Sequence, residues 1–134
     1  MPKIMFKSKE HQQFYIDMMR KCRVNDTYHQ AFFYVLGLTE KTRTNIKQLF
    51  NFKAGHIEFN GLKKAWQTST TMRTCLLAFN LWNGYEAEGE NTNYSPINLF
   101  ACEPAPYFIE GIKLRYPEYF KNHNMERMWL GNER

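Results

Sequence analysis

Cysteine is scarce in this sequence, and its spacing disfavours two architectures that are common among small domains. The three cysteines are an odd number, and no two of them form a Cys-x-x-Cys pair. A disulfide framework needs cysteines in pairs and a zinc module needs closely spaced ligands, so neither is expected. Cys22, Cys75 and Cys102 are therefore predicted to be free thiols in a reducing, cytoplasmic compartment, with no metal and no other cofactor.

Long hydrophobic runs are also absent. The longest apolar stretches, such as residues 31–36 and 75–79, fall far short of the roughly 20 residues that a helix needs to cross a bilayer. Residues 1–6 are too few for the hydrophobic region of a signal peptide. We therefore expect neither membrane association nor export.

The sequence lacks the motifs that support most enzymatic chemistry. The phosphate-binding patterns GxxxxGK[ST] and GxGxxG do not occur. The four histidines, His11, His29, His56 and His123, are scattered and lack the spacing of a zinc site. His11 lies on the apolar face of a predicted helix, so we expect a buried, hydrogen-bonded side chain rather than a base. No catalytic residue is predicted, and an enzyme is the least supported class.

Aromatic residues are abundant by contrast. The chain of 134 residues contains 8 Tyr, 11 Phe and 3 Trp, which is 16% of the sequence. Disordered chains contain few aromatic residues, and a chain of this length buries enough surface for one self-sufficient core. The composition therefore predicts a single compact domain.

Helical periodicity runs through most of the chain. Ser8, Asp26 and Thr39 are predicted to cap the first three helices. A candidate cap within residues 67–71 begins a fourth helix, which ends at Gly84 and which we expect to be the most buried. The sequence therefore predicts an all-α, mostly helical fold of about five to seven helices with little or no sheet.

The remaining segments of the predicted single domain, residues 1–134, are assigned from local turn formers and composition. Residues 51–60 are predicted to form a loop with a short extended piece at its end, and the segment after it a short helix. The domain is expected to include an N-terminal extension at residues 1–7, an acidic surface loop at residues 85–94 and a C-terminal tail at residues 121–134. Met125, Met128 and Trp129 in the tail form a candidate final helical turn.

The net charge of +5 is unevenly distributed along the chain. Residues 1–82 carry 13 Lys and Arg against 5 acids, a balance of +8, whereas residues 83–134 carry 5 against 8, a balance of −3. Such polarity attracts either nucleic acid or an acidic protein surface, without choosing between them. The candidate binding cations are Arg20, Lys21, Arg23, Lys41, Arg43, Lys47, Lys63 and Lys64.

A loose resemblance to a helix-turn-helix supports the nucleic-acid alternative. The second and third predicted helices are joined by a short turn at residues 37–39, which would place Arg43 and Lys47 as an exposed pair on the second helix of the motif. Tyr28, Phe52 and Trp66 place aromatic rings near the cations of residues 1–82 in the sequence, as single-strand binding requires. Short helix pairs are common in helical domains, so the signal is weak.

Protein binding is the other class that the composition supports, because aromatic residues, Met and Arg dominate interface energies. Trp66 and Tyr116 are candidate binding residues, although Trp66 and Trp82 also fit a core. Asn80 interrupts an apolar run, so we expect an internal hydrogen bond that fixes a neighbouring loop. The aromatic residues from which an exposed cluster would be drawn are Trp66, Trp82, Tyr94, Tyr116, Tyr119 and Trp129.

Four segments carry a resemblance to a known family: AFFYVL at residues 31–36, LKKAWQT at 62–68, LAFNLWNG at 77–84 and IKLRYP at 112–117. They resemble an uncharacterised family of small proteins, a domain of unknown function, found in phages, plasmids and chromosomes of Gram-positive bacteria. The resemblance brings no catalytic residues. It implies an accessory protein of a mobile element acting inside a bacterial host cell, where such proteins frequently disable a nuclease or another defence component.

The sequence therefore favours a non-enzymatic protein that binds and inhibits a host defence protein, such as a nucleic-acid-guided nuclease, in the manner of an anti-CRISPR protein. A basic helical nucleic-acid-binding protein is the alternative. The oligomeric state is left open.

Overall fold

The computed structural model describes residues 3–86 and 94–120, and within these ranges it contains six α-helices and one antiparallel hairpin. The predicted mostly helical fold is confirmed. The helices are α1 (Lys9–Cys22), α2 (Thr27–Leu36), α3 (Glu40–Thr44), α4 (Ser69–Asn83), α5 (Pro96–Leu99) and α6 (Ala105–Arg115). The hairpin pairs β1 (Phe50–Asn51) with β2 (His56–Ile57), and 3-10 turns cover Ile46–Gln48, Phe59–Lys63 and Pro117–Tyr119.

Two predicted segments fall partly or wholly beyond this description. Residues 87–93 of the predicted acidic loop lie outside the described residues. The predicted tail at residues 121–134 also lies outside them, together with Met125, Met128 and Trp129.

The helix caps predicted from the sequence are confirmed. The side chains of Ser8, Asp26 and Thr39 accept hydrogen bonds from backbone N–H groups three residues further on, at 2.8–3.1 Å. Thr68 caps α4 through a reciprocal pair of bonds with Thr71. These bonds satisfy N–H groups that have no partner within the helix, which is why each helix begins where it does.

Helix α2 forms the centre of the core. Residues 31–36 are all 0% exposed, and α1, α4 and α6 pack around them. Helix α4, which the sequence predicted to be the most buried helix, has eight buried residues, whereas α2 has six in one unbroken run. A helix that is apolar on every face must be enclosed, and residues 31–36 have that pattern.

Two glycines permit the close approach of α1 and α6 to α2. A Cβ atom at Gly111 of α6 would lie 2.5 Å from Cγ2 of Val35, and one at Gly37 would lie 2.7 Å from Cδ2 of His11. Gly37 ends α2 as predicted, but with right-handed backbone angles. Its small size, rather than its conformational freedom, is what this position requires.

The segment predicted as an N-terminal extension packs on the core through Ile4 and Phe6. The backbone N–H of Met5 donates to Oε2 of Glu110 at 3.2 Å, and the Tyr34 hydroxyl donates to the carbonyl oxygen of Met5. The Phe6 ring lies edge-on to the His11 ring, with centroids 5.1 Å apart. The carbonyl oxygen of Met5 thus satisfies the Tyr34 hydroxyl, which is the only polar side-chain group among residues 31–36.

The region between α3 and α4 differs most from the prediction. Helix α3 stops at Thr44, where Asn45 Nδ2 donates to the carbonyl oxygen of Lys41 at 2.9 Å and closes the helix end. The predicted loop holds a hairpin whose strands are two residues each, too short to give an alternating pattern. The predicted short helix is a 3-10 turn that contains Gly61, a poor helix former.

Replacing Gly111 by alanine tests the packing of α6 on α2. In an open helix this change stabilises by up to about 1 kcal/mol. Here we expect the free energy of unfolding to fall by about 1–3 kcal/mol, because the β-branched Val35 cannot swing away from the added methyl group. Denaturant unfolding measures the change, with Lys113→Ala on the exposed side of α6 as the control. An unchanged or raised midpoint for Gly111→Ala would contradict the close contact.

Candidate functional site

The last turn of α1 presents three of the predicted binding cations. Arg20 and Lys21 lie in this turn, and Arg23 follows as its cap; all three are exposed. Their charges are favourable at the negative end of the helix dipole. None of them forms a salt bridge with an acidic side chain of the described residues.

A cleft beside this turn brings a fourth predicted cation to the same place. Lys21 and Lys47 line a cleft of about 250 Å³ together with Phe52 and Glu58. The Lys21 ammonium lies 4.4 Å from the centroid of the Phe52 ring, a cation–π contact. The sequence placed Lys47 with Arg43 on one helix, whereas the structure places it with Lys21. We call Arg20, Lys21, Arg23 and Lys47 the α1-end surface.

A separate groove of about 380 Å³ is lined in part by residues of the same turn. Its apolar lining includes Ile16, Met19 and Val24, and Arg20 and Arg23 stand beside them. The Val24 side chain is 42% exposed. The groove therefore combines apolar contact area with two guanidinium groups, a pairing that is frequent in protein interfaces.

Arg23 adopts a left-handed backbone conformation, with φ 58° and ψ 24°. Among the described residues it is the only one other than glycine with a positive φ angle. Its N–H donates to the carbonyl oxygen of Met19 and so closes α1. Glycine is the usual residue at such a helix end, since a side chain is strained there.

The helix-turn-helix interpretation is wrong. Helix α3 has only five residues, and Lys47 lies beyond its end in a 3-10 turn. Arg43 is half-buried rather than exposed, because its Nη1 donates to the carbonyl oxygen of Gly37 at 2.8 Å. Lys41 is exposed on α3, which at five residues is too short to serve as a recognition helix.

The remaining predicted residues lie outside the cleft and the groove of the α1-end surface. Lys63 and Lys64 are exposed on and beside a 3-10 turn and do not line its cleft or groove. Trp66 packs half-buried against the core, and its Nε1 donates to Oε1 of Gln48 at 3.0 Å. Asn80 makes the expected internal hydrogen bond, from Nδ2 to the carbonyl oxygen of Tyr85 at 3.2 Å, which ties down the segment after α4.

Tyr116 belongs to a stack that sequence reasoning missed. The Cζ atom of Arg115 lies 3.9 Å from the centroid of the Tyr28 ring and 4.6 Å from that of Tyr116. The Nε of Arg115 donates to the carbonyl oxygen of Leu81 at 2.8 Å. Tyr119 extends the cluster, with its ring centroid 6.3 Å from that of Tyr116. The only sequence signal for this cluster is the adjacent pair Arg115-Tyr116, and it does not indicate that Tyr28 packs on the same guanidinium.

His11 is buried and satisfied, as the sequence predicted. Its Nδ1 accepts from the N–H of Lys7 at 3.0 Å, so the proton lies on Nε2, which donates to the carbonyl oxygen of Tyr34 at 2.7 Å. Burial of the ring lowers the pKa of His11 to about 4. Burial likewise raises the pKa of the Cys75 thiol to about 12, which leaves it protonated and unreactive at neutral pH.

In the part of the chain that the structure describes, no three His, Cys, Asp or Glu side chains lie close enough together to hold a metal ion. No helix there combines the length and the apolar character that crossing a membrane requires.

These features define a small helical domain that presents cations and aromatic rings at its surface. The sequence profile described as a family of unknown function (DUF6075) matches residues 1–128, so the chain belongs to that family. The predicted membership of an uncharacterised family is thereby confirmed. Comparisons with curated proteins and with solved structures give no match.

The neutral, buried state of His11 predicts a pH dependence of stability. The folded-state pKa of about 4 lies below the ordinary value of 6.5, so at intermediate pH the unfolded chain binds a proton that the folded chain does not. The free energy of unfolding should therefore fall by up to about 3 kcal/mol between pH 6.5 and pH 4. Denaturant unfolding across this range should show a shallower fall for His11→Gln. His56→Gln, at an exposed position, is the control; equal slopes for His11→Gln and the native chain would contradict the assignment.

The left-handed conformation of Arg23 predicts that its replacement by glycine stabilises the fold. Glycine adopts this conformation without steric cost, so Arg23→Gly should raise the free energy of unfolding by about 1 kcal/mol. Arg20→Gly, three residues earlier and inside α1, makes the same chemical change and should lower it by about 1 kcal/mol. Thermal unfolding of the two variants checks the opposite signs.

Proposed function

We propose that the protein acts without catalysis, by binding an acidic surface of another protein through the α1-end surface. The proposal rests on the position of the four cations of this surface, which lie together around the end of α1. None of them forms a salt bridge with an acidic side chain of the described residues. Clustered cations repel one another and add little to folding. Their arrangement favours an external partner of opposite charge.

The surroundings of these cations favour a protein over nucleic acid. The groove beside Arg20 and Arg23 offers Ile16, Met19 and Val24 as apolar contacts, which a phosphate backbone does not use. Glu58 lines the other cleft together with Lys21 and Lys47, so an occupant of that cleft meets charges of both signs. A protein segment that combines acidic and apolar side chains fits the groove beside Arg20 and Arg23.

The resemblance to proteins of phages, plasmids and Gram-positive chromosomes supports a setting for this binding. We propose that the partner is a host defence protein, with a nucleic-acid-guided nuclease as the first candidate, and that binding inhibits it in the bacterial cytoplasm. On this proposal the cations cover an acidic region that the nuclease needs.

Nucleic-acid binding is the second candidate, and one observation favours it. The Lys21 ammonium lies over the half-buried Phe52 ring, with Lys47 beside the same cleft. Cations next to an accessible aromatic ring are the pattern by which single strands are held. Salt separates the two candidates, because phosphate binding weakens steeply as the salt concentration rises.

Affinity capture tests the proposal and identifies the partner. The tagged protein is incubated with lysate of a Gram-positive bacterium, with and without nuclease treatment. We expect a stoichiometric protein partner that survives the treatment, and we expect the cleavage rate of a captured nuclease to fall when the protein is added. Recovery of nucleic acid alone, lost after nuclease treatment, would contradict protein binding and support the second candidate.

Charge reversal tests the surface. Lys21→Glu combined with Lys47→Glu should weaken partner binding at least about tenfold, equivalent to roughly 1.4 kcal/mol. Lys63→Glu combined with Lys64→Glu changes the net charge equally outside the cleft and the groove and should leave binding within about threefold, or roughly 0.65 kcal/mol. Arg23→Gly should weaken binding while it stabilises the fold. Equal losses in the two double variants would show a dependence on net charge alone and remove this surface from the proposal.

A further inference from the structure

We propose that Arg115 forms a second, preformed binding site, which takes the carboxylate of an acidic side chain from a protein partner. The site lies where α6 ends against the start of α2 and the end of α4. It is built by Tyr28, Arg115, Tyr116 and Tyr119, and none of the cations of the α1-end surface contributes to it. The inference therefore does not rest on the function proposed above.

The Arg115 guanidinium is held from three sides. The rings of Tyr28 and Tyr116 stack on it at 3.9 Å and 4.6 Å, and its Nε donates to the carbonyl oxygen of Leu81 at 2.8 Å. A free arginine side chain loses conformational entropy when it binds a ligand, whereas this one is already ordered. Its orientation is thus fixed before a partner arrives.

The two terminal nitrogens remain available. Neither Nη1 nor Nη2 of Arg115 has a hydrogen-bond acceptor or a salt-bridge partner among the described residues, and the residue is only half-buried. An arginine with Nε occupied offers its Nη pair as donors, and two parallel N–H groups match the two oxygens of a carboxylate. Arg115 therefore offers a positive charge and two hydrogen-bond donors to a single ligand.

The surroundings favour a carboxylate on a protein over a polyphosphate chain. Tyr119 is 76% exposed and Tyr28 is 43% exposed, so apolar and aromatic area flanks the guanidinium. Tyrosine and arginine are the residues that most often anchor protein interfaces. The expected ligand is an Asp or Glu beside an apolar residue.

The same stack also joins α6 to α2 and α4, so its test must separate binding from folding. Arg115→Lys keeps the positive charge but has no planar pair of donors. Tyr119→Ala removes the most exposed ring, whose contact is with Tyr116 alone among the described rings. Thermal unfolding of both variants is measured first, and Tyr119→Ala is expected to keep the native unfolding temperature.

The experiment is a selection from a random-peptide display library on the full-length protein. The library is first depleted on the Arg115→Lys protein, so that only peptides requiring the guanidinium are retained. We expect the recovered peptides to carry Asp or Glu beside an aromatic or aliphatic residue. Their affinity should fall at least about tenfold with Tyr119→Ala, and by a similar factor when the peptide acid is replaced by its amide.

The outcomes separate this site from the α1-end surface. Binding that is unaffected by Lys21→Glu with Lys47→Glu, but lost with Tyr119→Ala, supports the Arg115 site. Recovery of no peptides, of peptides without acids, or of peptides that depend on Lys21 but not on Tyr119 overturns it. Oligothymidine is tested as a second probe, and Arg115-dependent binding of this strand in place of acidic peptides would also overturn it.

Discussion

The burial of α2, including its C-terminal end, is the constraint on which the rest of the structure depends. The last carbonyl groups of a helix have no partner within it, and here water cannot reach them. Three side chains from outside the helix supply the donors: His11 for Tyr34, Thr42 for Leu36 and Arg43 for Gly37. Helix α1 and helix α3 are thereby fixed against the end of α2.

This requirement explains residues that would otherwise suggest function. A histidine at 0% exposure invites a catalytic interpretation, but His11 is neutral because one nitrogen must donate to a buried carbonyl while the other accepts from Lys7. Arg43 looks like a free surface cation in the sequence, yet its guanidinium donates to the carbonyl oxygen of Gly37 at the end of α2. Charge-assisted bonds of this kind are costly to lose in a buried place. Arg43 therefore serves the end of α2 and is not a free cation for a partner.

The sequence is informative wherever structure is determined by near neighbours. Caps such as Ser8 and Asp26 act on N–H groups three residues away, so their residue types and spacing are sufficient. The meeting of Lys21 with Phe52, and of Tyr28 with Arg115, depends instead on how helices pack over long distances in the chain. The periodicity of apolar residues identifies which face of each helix is buried, but not which other elements that face contacts. The basic character of the candidate site was therefore predictable, but which of the eight predicted cations come together was not.

The two surfaces differ in the way that each would contribute to binding. The α1-end surface consists of long, exposed side chains that carry several charges, which accelerate encounter and act over about 8–10 Å at physiological salt. Arg115 carries one charge, but two tyrosine rings and the Leu81 carbonyl hold it in place, so it loses little entropy on binding and demands a particular geometry from its ligand. The long-range attraction of the α1-end surface therefore raises the rate of association, whereas the fixed orientation of Arg115 provides specificity for the ligand. A partner that engages both surfaces would be drawn in by the lysines and arginines of α1 and selected by the carboxylate that it presents to Arg115.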